Sequence, residues 1–439
     1  RFGLKSGLLS SLTPIMALKS AHAGRLACTR LLSCSAPRPY SCLGAHASRS
    51  DGGGGCGSGG GSGGGSGGPQ GMAVVAPSAA FSLALAAATY VAGQLHKSTS
   101  SRCEAGAGGS SSDDLEAAVA MDDLIGPMGH LTVTTGIVSV RGLDVRWWKY
   151  ENDSLHHLSR RPVVALHGGP AFTHNYILPL QLLADSGHAV IFYDQAGCGE
   201  STFVKDPSKE APWLLTIPYY VEELSRVTAA LGLDCGSGYH LYGSSWGTVL
   251  AQEFAATKPF GLRSLILDGA LCDAQVYIKT QWRDRISTMP TYTQRLLRHL
   301  EDTKAYDTAA YRVLEAALGL HFTTRLVPRP ACWYAALNGV NQAIYVGMQG
   351  ASEFTLGGQL EHWSITERNT QLRVPTLVLA GEFDTMSQEC QQLVVDSIPT
   401  AWPLVTIPRA AHCKLIDEPQ LCVEAIARFL FAIEQPVPA

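Results

Sequence analysis

From His130 the residues HLTVTTGIVSVRGLDVRWWKYEN alternate apolar and polar about Arg141-Gly142. A period of two over that length predicts two antiparallel strands joined by a tight turn. RPVVALHGGP follows as a short apolar strand ending at Gly168, and Asn175 to Ser186 has the spacing of a helix. HAVIFYDQAGCGES reads as a second buried strand that breaks at Asp194, and Pro218 to Leu231 as a helix with Glu222 and Glu223 near its start. The stretch from Tyr239, YHLYGSSWGTVLAQEFAATKPF, is a strand, a turn bounded by glycines and an amphipathic helix. RSLILDG, PTLVLAGEFD and PLVTIP supply three more strands, and a last helix runs from Glu418 to Phe431. Short apolar strands alternating with helices predict a mostly parallel sheet with helices on both faces.

The spacing breaks once. After Gly269 the next comparable strand begins at Pro375, a gap of roughly a hundred residues where βα connections are normally only a few long. Residues 271–372 are therefore expected to form an inserted, mainly helical cap above the C-terminal edge of the sheet, where open α/β folds bind ligands. The cap divides the core into residues 130–270 and 373–437. Its aromatics, Trp282, Trp333, Tyr334, Tyr345 and Trp363, are expected mainly in the cap's own core.

Residues 1–129 follow a different pattern. No acidic residue occurs before Asp51, which suggests an organelle transit peptide, chloroplast or mitochondrial, or else an extension outside the mature protein. Without such an address the expected location is cytoplasmic. Gly52 to Gly68 is almost pure glycine and serine, a linker that cannot bury a core. Met72 to Leu95 is charge-free and long enough to span a bilayer. Its alanines are only weakly hydrophobic, and Pro77, Ser78 and Gly93 interrupt it, so a second targeting element or a loose helix is favoured over a membrane span. Residues 1–129 are expected to be largely disordered, with order beginning near Leu124.

A net charge of -4 over 439 residues, with no basic stripe, gives no nucleic-acid footprint. The twelve cysteines form no C-x-x-C pair and no metal-ligand spacing, so neither a metal site nor a disulfide framework is expected.

The candidate chemistry centres on Gly243-Ser244-Ser245-Trp246-Gly247. G-x-S-x-G between a strand and a helix is a nucleophile elbow: the serine sits on a turn so sharp that its neighbours must lack side chains. The helix that opens there presents free N–H groups and a positive dipole end. An elbow serine needs a base, and the base an orienting acid, in the chain order Ser, acid, His. Asp384, ending TLVLAGEFD, supplies the acid, and His412, in the loop after the last strand, the base. Glu382 is retained as a competing acid. The oxyanion of an acyl intermediate needs two N–H donors, expected from Trp246 and from the His167-Gly168-Gly169-Pro170 turn at Gly169. His167 itself is expected to be structural.

Taken together, His167-Gly168-Gly169-Pro170, Tyr193-Asp194-Gln195 with Gly197, Gly199 and Ser201, and the Gly243–Gly247 pentad resemble the prolyl aminopeptidases (proline iminopeptidases), including the tricorn-interacting type. The likeness covers about residues 130 to 435. It implies an α/β-hydrolase fold and a serine exopeptidase, free of metal and cofactor, that removes an N-terminal residue, typically proline, from short peptides. By the same resemblance, Glu353 in Gly350-Ala351-Ser352-Glu353-Phe354-Thr355 is the cap carboxylate that holds the substrate's free amine. Two positions depart from the family pattern. Ala171 stands where a glycine is usual, and Thr385 stands where the tricorn-interacting type has a second amine-binding glutamate. The loss of that charge puts strict proline release in doubt and leaves an amino-acid amidase or esterase open, and the long cap is also compatible with a hydrolase-fold receptor with little turnover.

Overall fold

The computed structural model describes residues 118–158 and 160–435. Its frame is an eight-stranded sheet in the order β1-β2-β4-β3-β5-β6-β7-β8. The predicted hairpin is β1 (Thr132–Val140) and β2 (Leu143–Glu151), paired from Thr132↔Glu151 to Val140↔Leu143. Arg141 and Gly142 both have positive φ, 50° and 82°, the two-residue loop whose twist matches that of the flanking strands. β3 (Val163–Leu166), β4 (Val190–Tyr193), β5 (Tyr239–Ser244), β6 (Leu262–Asp268), β7 (Thr376–Gly381) and β8 (Val405–Ile407) are parallel to one another, and β2 meets β4 antiparallel.

Alternation within the strands divides the core between two faces. Val164, Leu166, Leu241, Leu265 and Val378 face one buried cluster with α1 (Ile217–Ala230) and α2 (Trp246–Ala256). Val163, Ala165, Tyr242, Ile266 and Leu377 face the other. Being covered on both faces, these strands read as unbroken apolar runs.

The chain leaves the sheet after β6 and returns at β7. Between them lie α3 (Ala274–Thr280), α4 (Thr291–Asp302), α5 (Ala309–Phe322), α6 (Ala331–Asn338) and α7 (Gln342–Met348). Leu297 and Leu300 of α4, and Tyr311, Leu318 and Phe322 of α5, pack with Ile286 and Phe354 in a cluster separate from the two sheet faces. α8 (Gln388–Ser397) and α9 (Pro419–Glu434) complete the fold.

Two expectations need correction. Residues 174–186 form tight 3₁₀ turns with Pro179 inside, not an α-helix; proline has no N–H to donate to an i−4 carbonyl. Order also begins slightly before Leu124. Met121–Ile125 is a short helix, and Val119 exchanges backbone hydrogen bonds with Arg329 and Ala331, which anchors this stretch to the insertion. The transit-peptide, linker and Met72–Leu95 readings lie outside the described residues, among which no helix is long and apolar enough to cross a membrane.

Candidate active site

Ser245 joins β5 to α2 at φ 55°, ψ −120°, a conformation that an L-residue adopts only when its surroundings enforce it. The flanking glycines show how. A Cβ on Gly243 would lie 2.3 Å from the Gly247 carbonyl oxygen, and one on Gly247 would lie 2.4 Å from that of Leu166. The Ser245 N–H donates to the Asp268 carbonyl at the end of β6 (2.9 Å). Trp246 is the first residue of α2, so its N–H has no intrahelical acceptor.

Asp384 is fully buried at the end of β7, and its Oδ1 accepts from His412 Nδ1 at 2.7 Å and from the Met386 N–H at 3.0 Å. Oδ2 accepts from the Gly381 N–H (3.1 Å) and from Lys414 Nζ (2.6 Å). Burial alone would raise this carboxyl; the Lys414 ammonium and His412 outweigh it and hold Asp384 well below the usual carboxylate range. Glu382, the competing acid, is exposed and accepts from the Arg409 N–H (2.8 Å). With Nδ1 engaged by Asp384, the remaining ring nitrogen of His412 is the basic one. That Nε2 is buried and makes no protein hydrogen bond, so no bond joins it to Ser245. The ring nonetheless lies against the Asp268–Gly269 turn that holds the serine N–H: a Cβ on Gly269 would meet His412 Cε1 at 2.7 Å. Such bonds are often long in unliganded enzymes and tighten around substrate.

The glycine turn packs directly on the elbow. A Cβ on Gly168 would reach Ser245 Cβ at 2.9 Å, and the Gly168 N–H is taken by the Tyr176 hydroxyl (2.8 Å). Gly169 has φ 115° and Ala171 φ 61°, so the glycine usual at position 171 would sit in the left-handed region without a steric cost. Gln195 ties this turn to the elbow: its Oε1 accepts from Trp246 Nε1 (2.9 Å) and its Nε2 donates to the His167 carbonyl (3.1 Å). His167 is buried, with Nε2 accepting from the Gln195 N–H (3.0 Å), and burial pulls its pKa down to about 4. It is a neutral structural residue. Sequence reasoning used Gln195 only as a family marker and missed Lys414 and Asp268.

Glu353 lies in the insertion, and its Oε1 accepts from the Tyr345 hydroxyl (2.9 Å) while its main-chain carbonyl accepts from Tyr277. Burial raises its pKa; His412 and Asp384 are both close enough to perturb it electrostatically. Thr385, where the second carboxylate would stand, is buried and faces Gln281 (3.4 Å). Beside Ser245 lies a cavity of about 10 Å³ walled by Val249, Leu271, Leu356, Leu360, Trp363 and Met386, with space for about one water molecule. Two of the aromatics assigned to the cap core therefore serve the site: Trp363 walls this cavity and Tyr345 holds Glu353.

Among the described residues, His188, His240 and Glu434 bring three potential metal donors within 4.8 Å of one another. Glu434 already faces Arg160 (3.4 Å) and Arg161 (3.3 Å), and two guanidinium charges there oppose a dication. An exposed second group, Glu151, Asp153 and His156, holds no buried donor.

Residues 161–419 match the model of the alpha/beta hydrolase fold family. The chain is 31% identical over 301 residues to a proline iminopeptidase of Heyndrickxia coagulans, covering 68% of this chain and 99% of that protein. It is 34% identical over 277 residues to one of Clostridioides difficile (strain 630), covering 62% and 90%. Among solved structures it resembles VinJ (TM-score 0.63, 28% identity, 68% of this chain and 99% of that one). It also resembles proline iminopeptidase of Mycobacterium smegmatis (TM-score 0.61, 28% identity, 68% and 98%).

Proposed function

The chain belongs to the α/β-hydrolase fold family and to its proline iminopeptidase group, and from that membership we infer a serine exopeptidase that releases an N-terminal proline or other small residue from short peptides. Ser245 attacks the first peptide carbonyl while His412 Nε2 takes the hydroxyl proton. The same imidazole then delivers that proton to the departing amine, and water, activated in turn by His412, releases the acyl group. Asp384 fixes the Nδ1–H tautomer and balances the imidazolium. The N–H groups of Trp246 and Gly169 receive the oxyanion.

The observation that carries the exopeptidase reading is Glu353, a half-buried side chain whose carboxylate accepts from the Tyr345 hydroxyl and lies within electrostatic reach of His412 and Asp384. A carboxylate drawn partly out of water gains from an opposite charge, and the free ammonium of a substrate whose first carbonyl lies at Ser245 would supply one. Thr385 leaves the grip to this carboxylate, so we propose preference for, not strict restriction to, proline. Hydrolysis of prolyl, alanyl and N-blocked prolyl arylamides, compared with a simple ester, tests the reading. The unblocked prolyl compound should be the best amide substrate; equal cleavage of the blocked compound would refute the amine anchor. We further propose that residues 1–50 are an organelle address, which sequencing of the mature N-terminus from cells would check.

A further inference from the structure

We propose that Lys414 is a positioning residue of the catalytic machinery: its ammonium, clamped between Asp268 and Asp384, keeps the Asp384 carboxylate ionised and aimed at His412. The proposal rests on the assignment of Ser245, His412 and Asp384 made above. Lys414 is completely buried. Its Nζ lies 2.6 Å from Asp384 Oδ2 and 2.9 Å from Asp268 Oδ1, and it donates to the His412 carbonyl at 2.9 Å. Lysines are almost never this buried unless paired, and here both partners are buried carboxylates. Tyr242 donates to the other Asp268 oxygen at 2.5 Å, which fixes that end of the bridge to β5.

The charges run minus, plus, minus towards the imidazole. Without the ammonium, Asp268 and Asp384 would remain within the ~4–6 Å over which like charges shift each other's titration, and the pair would retain a proton. A protonated Asp384 cannot balance the imidazolium that forms when Ser245 attacks. No neighbour replaces Lys414. Arg285 donates to the Asp384 main-chain carbonyl, not to its carboxylate. Glu353 adds a negative charge. Tyr176, Tyr242 and Tyr277 are kept protonated by burial, as are the thiols Cys390, Cys413 and Cys422.

The test compares wild type, Lys414→Met and the charge-balanced double variant Lys414→Met/Asp268→Asn. One readout is phosphonylation of Ser245 by a small fluorophosphonate, followed by mass spectrometry, which needs the serine, base and acid but no peptide specificity. The other is steady-state hydrolysis of prolyl arylamide. Lys414→Met should lower the phosphonylation rate and kcat about 100-fold with KM within about threefold, since disabling a triad acid costs up to ~10⁴ in kcat. The double variant should recover at least about tenfold of that loss. Wild-type rates in a folded Lys414→Met protein would overturn the proposal, as would a double variant no faster than the single one. If Lys414→Met does not fold, the double variant decides alone: phosphonylation within about tenfold of wild type supports the bridge, and anything slower overturns it. A wild-type enzyme unlabelled at Ser245 would overturn the triad assignment and the proposal with it. Labelled wild type with poor prolyl arylamide turnover would refute only the exopeptidase reading, leaving the bridge to be judged on phosphonylation.

Discussion

Replacing Glu353 with glutamine removes one charge and little else. The amide keeps the shape of the side chain and an oxygen to accept from the Tyr345 hydroxyl, now at 2.9 Å from Oε1, so the pocket should keep its packing. A hydrogen bond to a charged group contributes roughly 1.5–3 kcal/mol, and each ~1.4 kcal/mol is a factor of ten in rate. Glu353→Gln should therefore lower kcat/KM for prolyl arylamide by roughly 10- to 150-fold, while N-acetyl-prolyl arylamide, which has no ammonium, should change less than about threefold. The variant should also show a different acid limb. Burial raises the wild-type carboxyl above its ordinary value, so its ionised fraction, and with it the grip on the ammonium, declines earlier as pH falls than for an exposed glutamate. That component of the pH profile should vanish in the variant. The assay is kcat/KM for both substrates across the acid range. Equal losses on the two compounds would refute the anchor, as would no loss on the free-amine compound.

Gly243→Ala places a methyl 2.3 Å from the Gly247 carbonyl oxygen and should cost about 3 kcal/mol or more, read as a lowered Tm together with lost fluorophosphonate labelling. Gln195→Leu strands the buried Trp246 indole N–H and the His167 carbonyl; at ~1–3 kcal/mol per unsatisfied group, Tm should drop and kcat should fall more than KM rises. Glu223 on α1 is fully buried, and burial pushes its carboxyl up to about 8. The native state thus holds a proton that the unfolded chain has released above pH 4.5, so the associated stability is complete below that value and is lost as pH rises towards 8. Glu223→Gln should flatten that decline, so that Tm measured at pH 5 and pH 9 differs less than in wild type.

How much of this could be read from the residues depends on how local the cause is. The elbow was legible because its glycines are dictated by atoms within a few residues or one strand away, and the parallel strands because burial on both faces leaves unbroken apolar runs. The choice between Asp384 and Glu382 was not legible from strand alternation, which puts residues two apart on one face; both lie beyond the end of β7, where the turn buries one on His412 and leaves the other exposed beside Arg409. Lys414 was illegible. A lysine two residues after a loop histidine reads as solvated, and its partners stand at the ends of β6 and β7, 146 and 30 positions earlier. Gln195 was invisible as a bridge for the same reason, since its contacts at His167 and Trp246 are fixed only when β3, β4 and β5 align.

The insertion contributes more than Glu353. At the end of α5, where helical carbonyls lack intrahelical donors, the Phe322 carbonyl accepts from both the Thr385 N–H (3.1 Å) and the His412 N–H (3.0 Å), and the Thr323 carbonyl accepts from Cys413 (2.8 Å). One carbonyl thus holds the loop of the acid to the loop of the base. Lifting α5 away as a lid would cost these three bonds, while the two loops would stay joined by the Phe383 N–H to the Ala410 carbonyl (2.9 Å) and by His412 Nδ1 to Asp384 (2.7 Å), so the insertion steadies a pairing that the core itself makes.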